Sequence, residues 1–116
     1  MKKSKITYNI MLFNIIKYND IYMEYEIIKF IQFLIDKGAN NFNACMKIAT
    51  EQNYIKCINF MIDKGANNFN ACNEIASKIG NINIVRLMLK MGATNSSKCA
   101  EIALNYNHMD IFQILI

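Results

Sequence analysis

Apolar residues recur along this chain at helical spacing. Ile55, Ile58, Met61 and Ile62 are matched 27 residues later by Ile82, Val85, Met88 and Leu89, the i, i+3, i+6, i+7 pattern of one helix face. Lys56, Asn59 and Asp63, then Asn83, Arg86 and Lys90, fall between them and form the solvated back. Gly65 and Gly92 end these two helices, and Gly38 ends a third predicted over Glu26 to Lys37, because glycine enters the left-handed region without a Cβ clash. A shorter helix precedes the second and third of these glycine-ended segments. It is predicted from Asn43 to Thr50 with Cys45, Ile48 and Ala49 buried, and from Asn70 to Lys78 with Cys72, Ile75 and Ala76 buried. Alanine at the last of these positions lets two helices approach closely, and a bulky substitute would push them apart. Between the helices stand Asn53, Gly80 and Asn107, residue types that tolerate positive φ, so each unit is predicted to turn tightly into an antiparallel helical hairpin.

The same register appears as identity. DKGANNFNAC runs from Asp36 to Cys45 and again from Asp63 to Cys72, and Gly38, Gly65 and Gly92 mark a period of 27 that Cys45, Cys72 and Cys99 share. A repeat this short cannot bury a core alone and must stack on its neighbours. The predicted fold is all-α, a solenoid of stacked antiparallel hairpins forming one domain over 1–116, with repeats at about 8–39, 40–66, 67–93 and 94–116, the last incomplete. The first unit is irregular: Ile10 to Ile16 is its expected first helix and Lys17 to Met23 a longer connection. The last unit, Ser96 to Ile116, carries Met109, Ile111, Phe112, Leu115 and Ile116 as the apolar positions of its second helix and lacks the closing glycine. Apolar Phe112, Leu115 and Ile116 at such an end are expected to promote end-to-end self-association.

Composition narrows the classes. Hydrophobic residues make up 53% of the chain, proline and tryptophan are absent and glycine is scarce, which argues against disorder and against a loop-rich sandwich. The abundant Asn, Ile and Lys match the codon bias of an AT-rich genome, so the surface asparagines are discounted as chemistry. The net charge of +4 owes much to Lys2, Lys3 and Lys5, and with no basic stripe in the repeat body, nucleic acid is not the expected partner. Polar Asn9, Asn14, Lys17, Asn19, Asp20 and Glu24 interrupt the most hydrophobic stretch, so no membrane span or signal peptide is expected and the chain reads as cytoplasmic.

KIGNINIVRLMLKMGA, Lys78 to Ala93, resembles the second half of an ankyrin repeat: a glycine turn, an amphipathic helix, then Gly-Ala. YIKCINFMIDKGA, EIIKFIQFLIDKGA and HMDIFQILI fit the same pattern, while ACMKIA and ACNEIA stand where the family's first helix opens, without its usual Thr-Pro-Leu-His. The period is about six residues shorter than the family's typical 33. The loss falls between Gly-Ala and the first helix, where typical repeats project a β-hairpin finger and this chain has NNFN or TNSS. Short, Asn-rich repeats of this kind look like the divergent ankyrin proteins of giant DNA viruses. The resemblance implies non-catalytic protein–protein interaction, with a host protein as partner if the chain is viral. With the fingers abbreviated, it points to the exposed side of the first helices: Asn43, Lys47 and Thr50; Asn70, Asn73, Glu74 and Ser77; Lys98, Glu101 and Asn105.

Candidate chemistry adds little to that picture. Cys45, Cys72 and Cys99 are one position in successive repeats. Stacked helices about 8–10 Å apart lie beyond the roughly 7 Å Cα separation of a disulfide. Cys57 aligns with Phe30, Ile84 and Ile111 as a further core thiol, and no CxxC or Cys/His cluster points to a metal. The lone His108 occupies a turn position, equivalent to Tyr54 and Asn81, and no nucleophile elbow or phosphate loop accompanies it. Met61 and Met88 recur at one core position. No enzyme activity and no cofactor are expected. Two other readings stand beside the interaction module. One is a helical-repeat RNA binder, disfavoured because Lys47, Glu74 and Glu101 share one position and two carboxylates would repel phosphates. The other is a degenerate fragment of a larger array with no independent role.

Overall fold

The computed structural model describes residues 4–18 and 24–116, and within them all regular secondary structure is helical. The chain divides into two compact units, Met1–Ala66 and Asn67–Ile116, the boundary falling where the second 27-residue period ends. The first unit contains α1 (Lys5–Tyr18), α2 (Glu24–Asp36), α3 (Phe42–Glu51) and α4 (Ile55–Asp63); α1 packs on α2 and α3, and α3 on α4. The second contains α5 (Phe69–Ile79), α6 (Ile82–Lys90), α7 (Ser96–Asn105) and α8 (Met109–Leu115). There α5 packs on α6 and α7, α7 on α8, and α6 on α8.

One local device ends the helices in both units. At the end of α4, Gly65 N donates to Ile62 O at 3.0 Å and Ala66 N to Met61 O at 2.8 Å, which satisfies two carbonyls that the helix leaves open. Gly38 with Ala39, and Gly92 with Ala93, repeat both bonds. This explains the Gly-Ala pair in the first three copies: the glycine takes positive φ, +112° at Gly65, and the alanine tucks towards the core, Ala39 and Ala66 being buried. The turns after the first helices work the same way, with Asn53 at φ 61° and Asn107 at φ 64° as the only described non-glycine residues at positive φ, and Gly80 at φ 85°. The predicted left-handed turns are therefore present at all three positions.

The second helices bury the expected faces, Ile58 and Met61 on α4 and Val85 and Met88 on α6, while Lys56, Asn59, Asp63, Asn83, Arg86 and Lys90 are exposed. Ile55 departs from this, being exposed at the first turn of α4. Phe30 departs too. Its equivalents Cys57, Ile84 and Ile111 are buried, yet Phe30 is 38% exposed and stacks on Phe33 at 5.9 Å between ring centroids. On the first helices the sequence places the inner face one residue off. Cys45 and Ala49 are buried as expected, but they are accompanied by Met46 and Thr50, and Ile48 is only half-buried; α5 repeats this with Cys72, Ala76, Asn73 and Ser77.

The first helix of the chain is longer than the predicted Ile10 to Ile16. Ser4 accepts from Thr7 N at 3.3 Å through its hydroxyl and starts α1 at Lys5, the capping role serine serves best. Lys17 and Tyr18 continue that helix instead of joining the expected connection, and the remainder of the connection, residues 19–23, lies outside the described residues. The longest described helix has 14 residues, and none is long and apolar enough to cross a membrane.

Candidate protein-binding surface

The residues proposed for the first-helix surface divide into three groups once placed. Asn43, Lys47, Lys98, Glu101 and Asn105 are exposed. Thr50, Asn73 and Ser77 are not surface residues, each being fully buried. The cause is that the buried face of α3 and α5 is set one residue round from the predicted one, which carries positions 50, 73 and 77 inward. Thr50 Oγ1 donates to Met46 O at 2.8 Å, and Asn73 Nδ2 donates to Asn95 Oδ1 at 3.2 Å. Ser77 lies with its hydroxyl beside the Cys99 thiol.

Asn70 and Glu74 belong to the third group, engaged in structure. Thr94 N donates to Asn70 Oδ1 at 2.7 Å, Asn70 Nδ2 donates to Thr94 Oγ1 at 3.1 Å, and Asn95 Nδ2 donates to Asn70 O at 2.9 Å. The first unit contains the same clamp around Asn9. Asn40 N donates to Asn9 Oδ1 at 2.7 Å, Asn9 Nδ2 to Asn40 Oδ1 at 3.3 Å, and Asn41 Nδ2 to Asn9 O at 3.0 Å. A carboxamide suits this place because it offers an acceptor and two donors from one short side chain. The linkers that begin at Asn40 and Thr94 are thus tied down by asparagine, so the discounting of these asparagines as compositional bias is corrected.

The clamp also sets an equivalence that the period of 27 does not reach. With Asn9 in the place of Asn70, Phe13 on α1 corresponds to Glu74 on α5, while Ala44 on α3 corresponds to Lys98 on α7 by two periods of 27. In the second unit this pair is ionic: Lys98 Nζ lies 2.7 Å from a Glu74 carboxylate oxygen, and the bond to that carboxylate holds the Lys98 ammonium above its ordinary pKa. In the first unit the equivalent pair is apolar. There the groove between α1 and α3 is an open cleft of about 210 Å³ lined by Phe13, Ala44, Lys47, Ile48 and Glu51. Lys17 sits at its edge, its ammonium 5.8 Å from the Phe13 ring centroid, and its carbonyl accepts from Gln52 Nε2 at 2.8 Å. Phe13, Glu51 and Lys17 were not among the sequence candidates. Their signal lay in an unlike alignment, since the irregular first repeat hid the correspondence of α1 with α5.

The other groups with possible chemistry are committed to the fold. All four cysteines are buried. Burial, with Cys57 nearby, pushes the Cys45 thiol up to about 12, and burial also raises Cys99, so neither is a thiolate near neutrality. Among the described residues no group of three or more His, Cys, Asp and Glu side chains is placed to hold a metal. His108 Nε2 donates to the Lys78 carbonyl at 3.0 Å, its ring lying directly over Gly80. Phe112 and Leu115 are half-buried and Ile116 is 81% exposed. Comparison with protein-family models, curated proteins and solved structures returned no match.

Proposed function

We propose that this chain is a divergent ankyrin-like repeat protein, a solenoid of four helical hairpins that acts as a non-catalytic protein-binding module through the exposed side of its first helices. In a viral setting its partner is a host protein and its compartment the host cytoplasm. The observation that carries the reading is the contrast within that surface. Lys47, Glu101 and Asn105 stand exposed, and none of them is tied by a described hydrogen bond or ion pair, whereas Thr50, Asn73 and Ser77 on the same helices are buried. The clamps around Asn9 and Asn70 occupy the linkers, which leaves the helix faces as the surface a partner can reach. Exposed charges away from fold-bearing contacts are where recognition can be written at little cost to stability.

The test is affinity capture from lysate of the presumed host, comparing the natural chain with a Lys47→Ala, Glu101→Ala, Asn105→Ala triple variant. Loss of specific partners with an unchanged melting temperature is the expected result. Identical partner sets for the two proteins would overturn the first-helix assignment.

A further inference from the structure

One side of α2 carries an aromatic pair that the first unit leaves exposed. Phe30 and Phe33 are 38% and 48% exposed, stack at 5.9 Å between ring centroids, and share a shallow depression with Glu26 and Lys29. The repeat shows which side this is. One period later, Lys56, Phe60 and Asp63 on α4 line a cleft with Ile28 of α2, so they face the preceding helix, and their equivalents Lys29, Phe33 and Asp36 face away from α4. Lys37 belongs to the same side, its ammonium 5.5 Å from the Phe33 ring centroid. Exposed rings flanked by charge have the make-up of an interface core and its rim. The order of the charges says what fits on them. Along the chain the stripe reads Glu26, Lys29, Phe30, Phe33, Asp36, Lys37, and read backwards it is its own complement, each sign opposite about the aromatic pair.

We propose that a second copy of the chain covers this side, α2 lying antiparallel on α2 across a two-fold axis that passes between Phe30 and Phe33. Phe30 of each copy then meets Phe33 of the other, and the two aromatic pairs form one cluster. Glu26 stands four residues before Phe30 and Lys37 four residues after Phe33, so each Glu26 meets the other copy's Lys37. Lys29 comes within two residues of register, roughly 3 Å of axial rise, of the other copy's Asp36. A parallel pairing would set Glu26 on Glu26 and Lys37 on Lys37, and like charges across an interface oppose it. The contact is isologous, the same patch on both copies. It includes none of Lys47, Glu101 and Asn105, so it stands or falls apart from the first-helix reading.

Sedimentation of the full chain at concentrations up to about 1 mM should show a concentration-dependent dimer. Glu26→Lys and Lys37→Glu each set like charges against one another at both ends of the helix pair. Each should weaken the dimer about tenfold or more with the helical circular dichroism retained, since both positions are exposed. Mixed in equal amounts, the two variants should associate with each other as tightly as the natural chain does with itself, because every pair is again opposite in sign. That rescue is particular to the antiparallel register. A natural chain that stays monomeric at about 1 mM, or a mixture that associates no more tightly than its components, overturns the proposal. Undiminished association of the single variants overturns it too, and would point instead to contact through Phe112, Leu115 and Ile116.

Discussion

In the first unit the groove between α1 and α3 is lined by Phe13 and Ala44, and in the second the equivalent places between α5 and α7 hold Glu74 and Lys98, 2.7 Å apart. The clamps beside those two grooves are alike: Asn9 and Asn70 make the same three kinds of bond to the linker that follows, the shortest being 2.7 Å in each. Packing geometry is thus held by the buried face and the asparagine, and the groove lining is free to be apolar in one unit and ionic in the other. The comparison separates what the fold requires from what the groove lining can vary, and each element of it can be broken separately.

The largest expected effect is at the turns. A Cβ on Gly80 would lie 2.4 Å from His108 Cε1 in a backbone already at φ +85°. Gly80→Ala should therefore destabilise the chain by about 2–4 kcal/mol, combining the left-handed penalty with displacement of the imidazole. Asn53, the matching turn of the first unit at φ 61°, already has a side chain, and Asn53→Ala should cost about 1 kcal/mol. Urea titration of both variants, with His108→Ala added to the Gly80 variant, separates the clash from the backbone strain. Equal losses at the two turns would show that the His108 ring plays no part.

Next comes an asymmetry between the buried thiols. Cys45 has a second thiol, Cys57, nearby and is raised to about 12, while Cys99 has the Ser77 hydroxyl beside it, which offsets part of the rise from burial. A raised thiol pKa means that the folded chain keeps a proton the unfolded chain has lost. Its contribution to stability is complete below pH 9, the ordinary thiol range, and is lost as pH rises from there towards 12. At pH 10.5 the loss from Cys45 is about 2 kcal/mol. Cys45→Ala should flatten this alkaline decline more than Cys99→Ala does. Chemical denaturation at pH 8 and pH 10.5 measures it, and identical slopes for the two variants would contradict the asymmetry.

Breaking the shared element should cost the two units similarly. Asn9→Ala and Asn70→Ala each remove two side-chain hydrogen bonds to the linker. Their partners are exposed enough to rebond to water, so the expected loss is about 1–2 kcal/mol each. Amide hydrogen exchange at Asn40 N and Thr94 N reports the two sites separately. A loss confined to one site would mean that the clamps are not equivalent.

Much of this was legible in the sequence because it repeats. The glycine and asparagine turns, the Gly-Ala helix ends and the apolar faces of α4 and α6 follow from residue type and a period of 27. What escaped was carried by polar residues inside. Thr50, Asn73 and Ser77 read as surface because hydroxyl and amide side chains usually are, and only the packed structure shows the burial of all three. Asn9 escaped for another reason, since it stands 34 residues before Asn43 instead of 27, and a shifted repeat cannot be aligned without the helix that positions it. The cleft was hidden with it, because its apolar character depends on placing Phe13 opposite α3.

The smallest expected effect tests the ionic half of the comparison. The pair Glu74–Lys98 joins a half-exposed carboxylate to an exposed ammonium, and water screens such pairs so strongly that their coupling is slight. A double-mutant cycle of Glu74→Ala and Lys98→Ala should shift the melting temperature through the coupling by no more than about 2 °C, and 1 M salt should abolish it. A small value supports the separation drawn here, because a groove lining that contributes little to stability can change from Glu and Lys to Phe and Ala without loss of fold. A coupling as large as the loss on removing Asn70 would mean instead that the ion pair holds α5 to α7, and that the first unit compensates for its absence by packing Phe13.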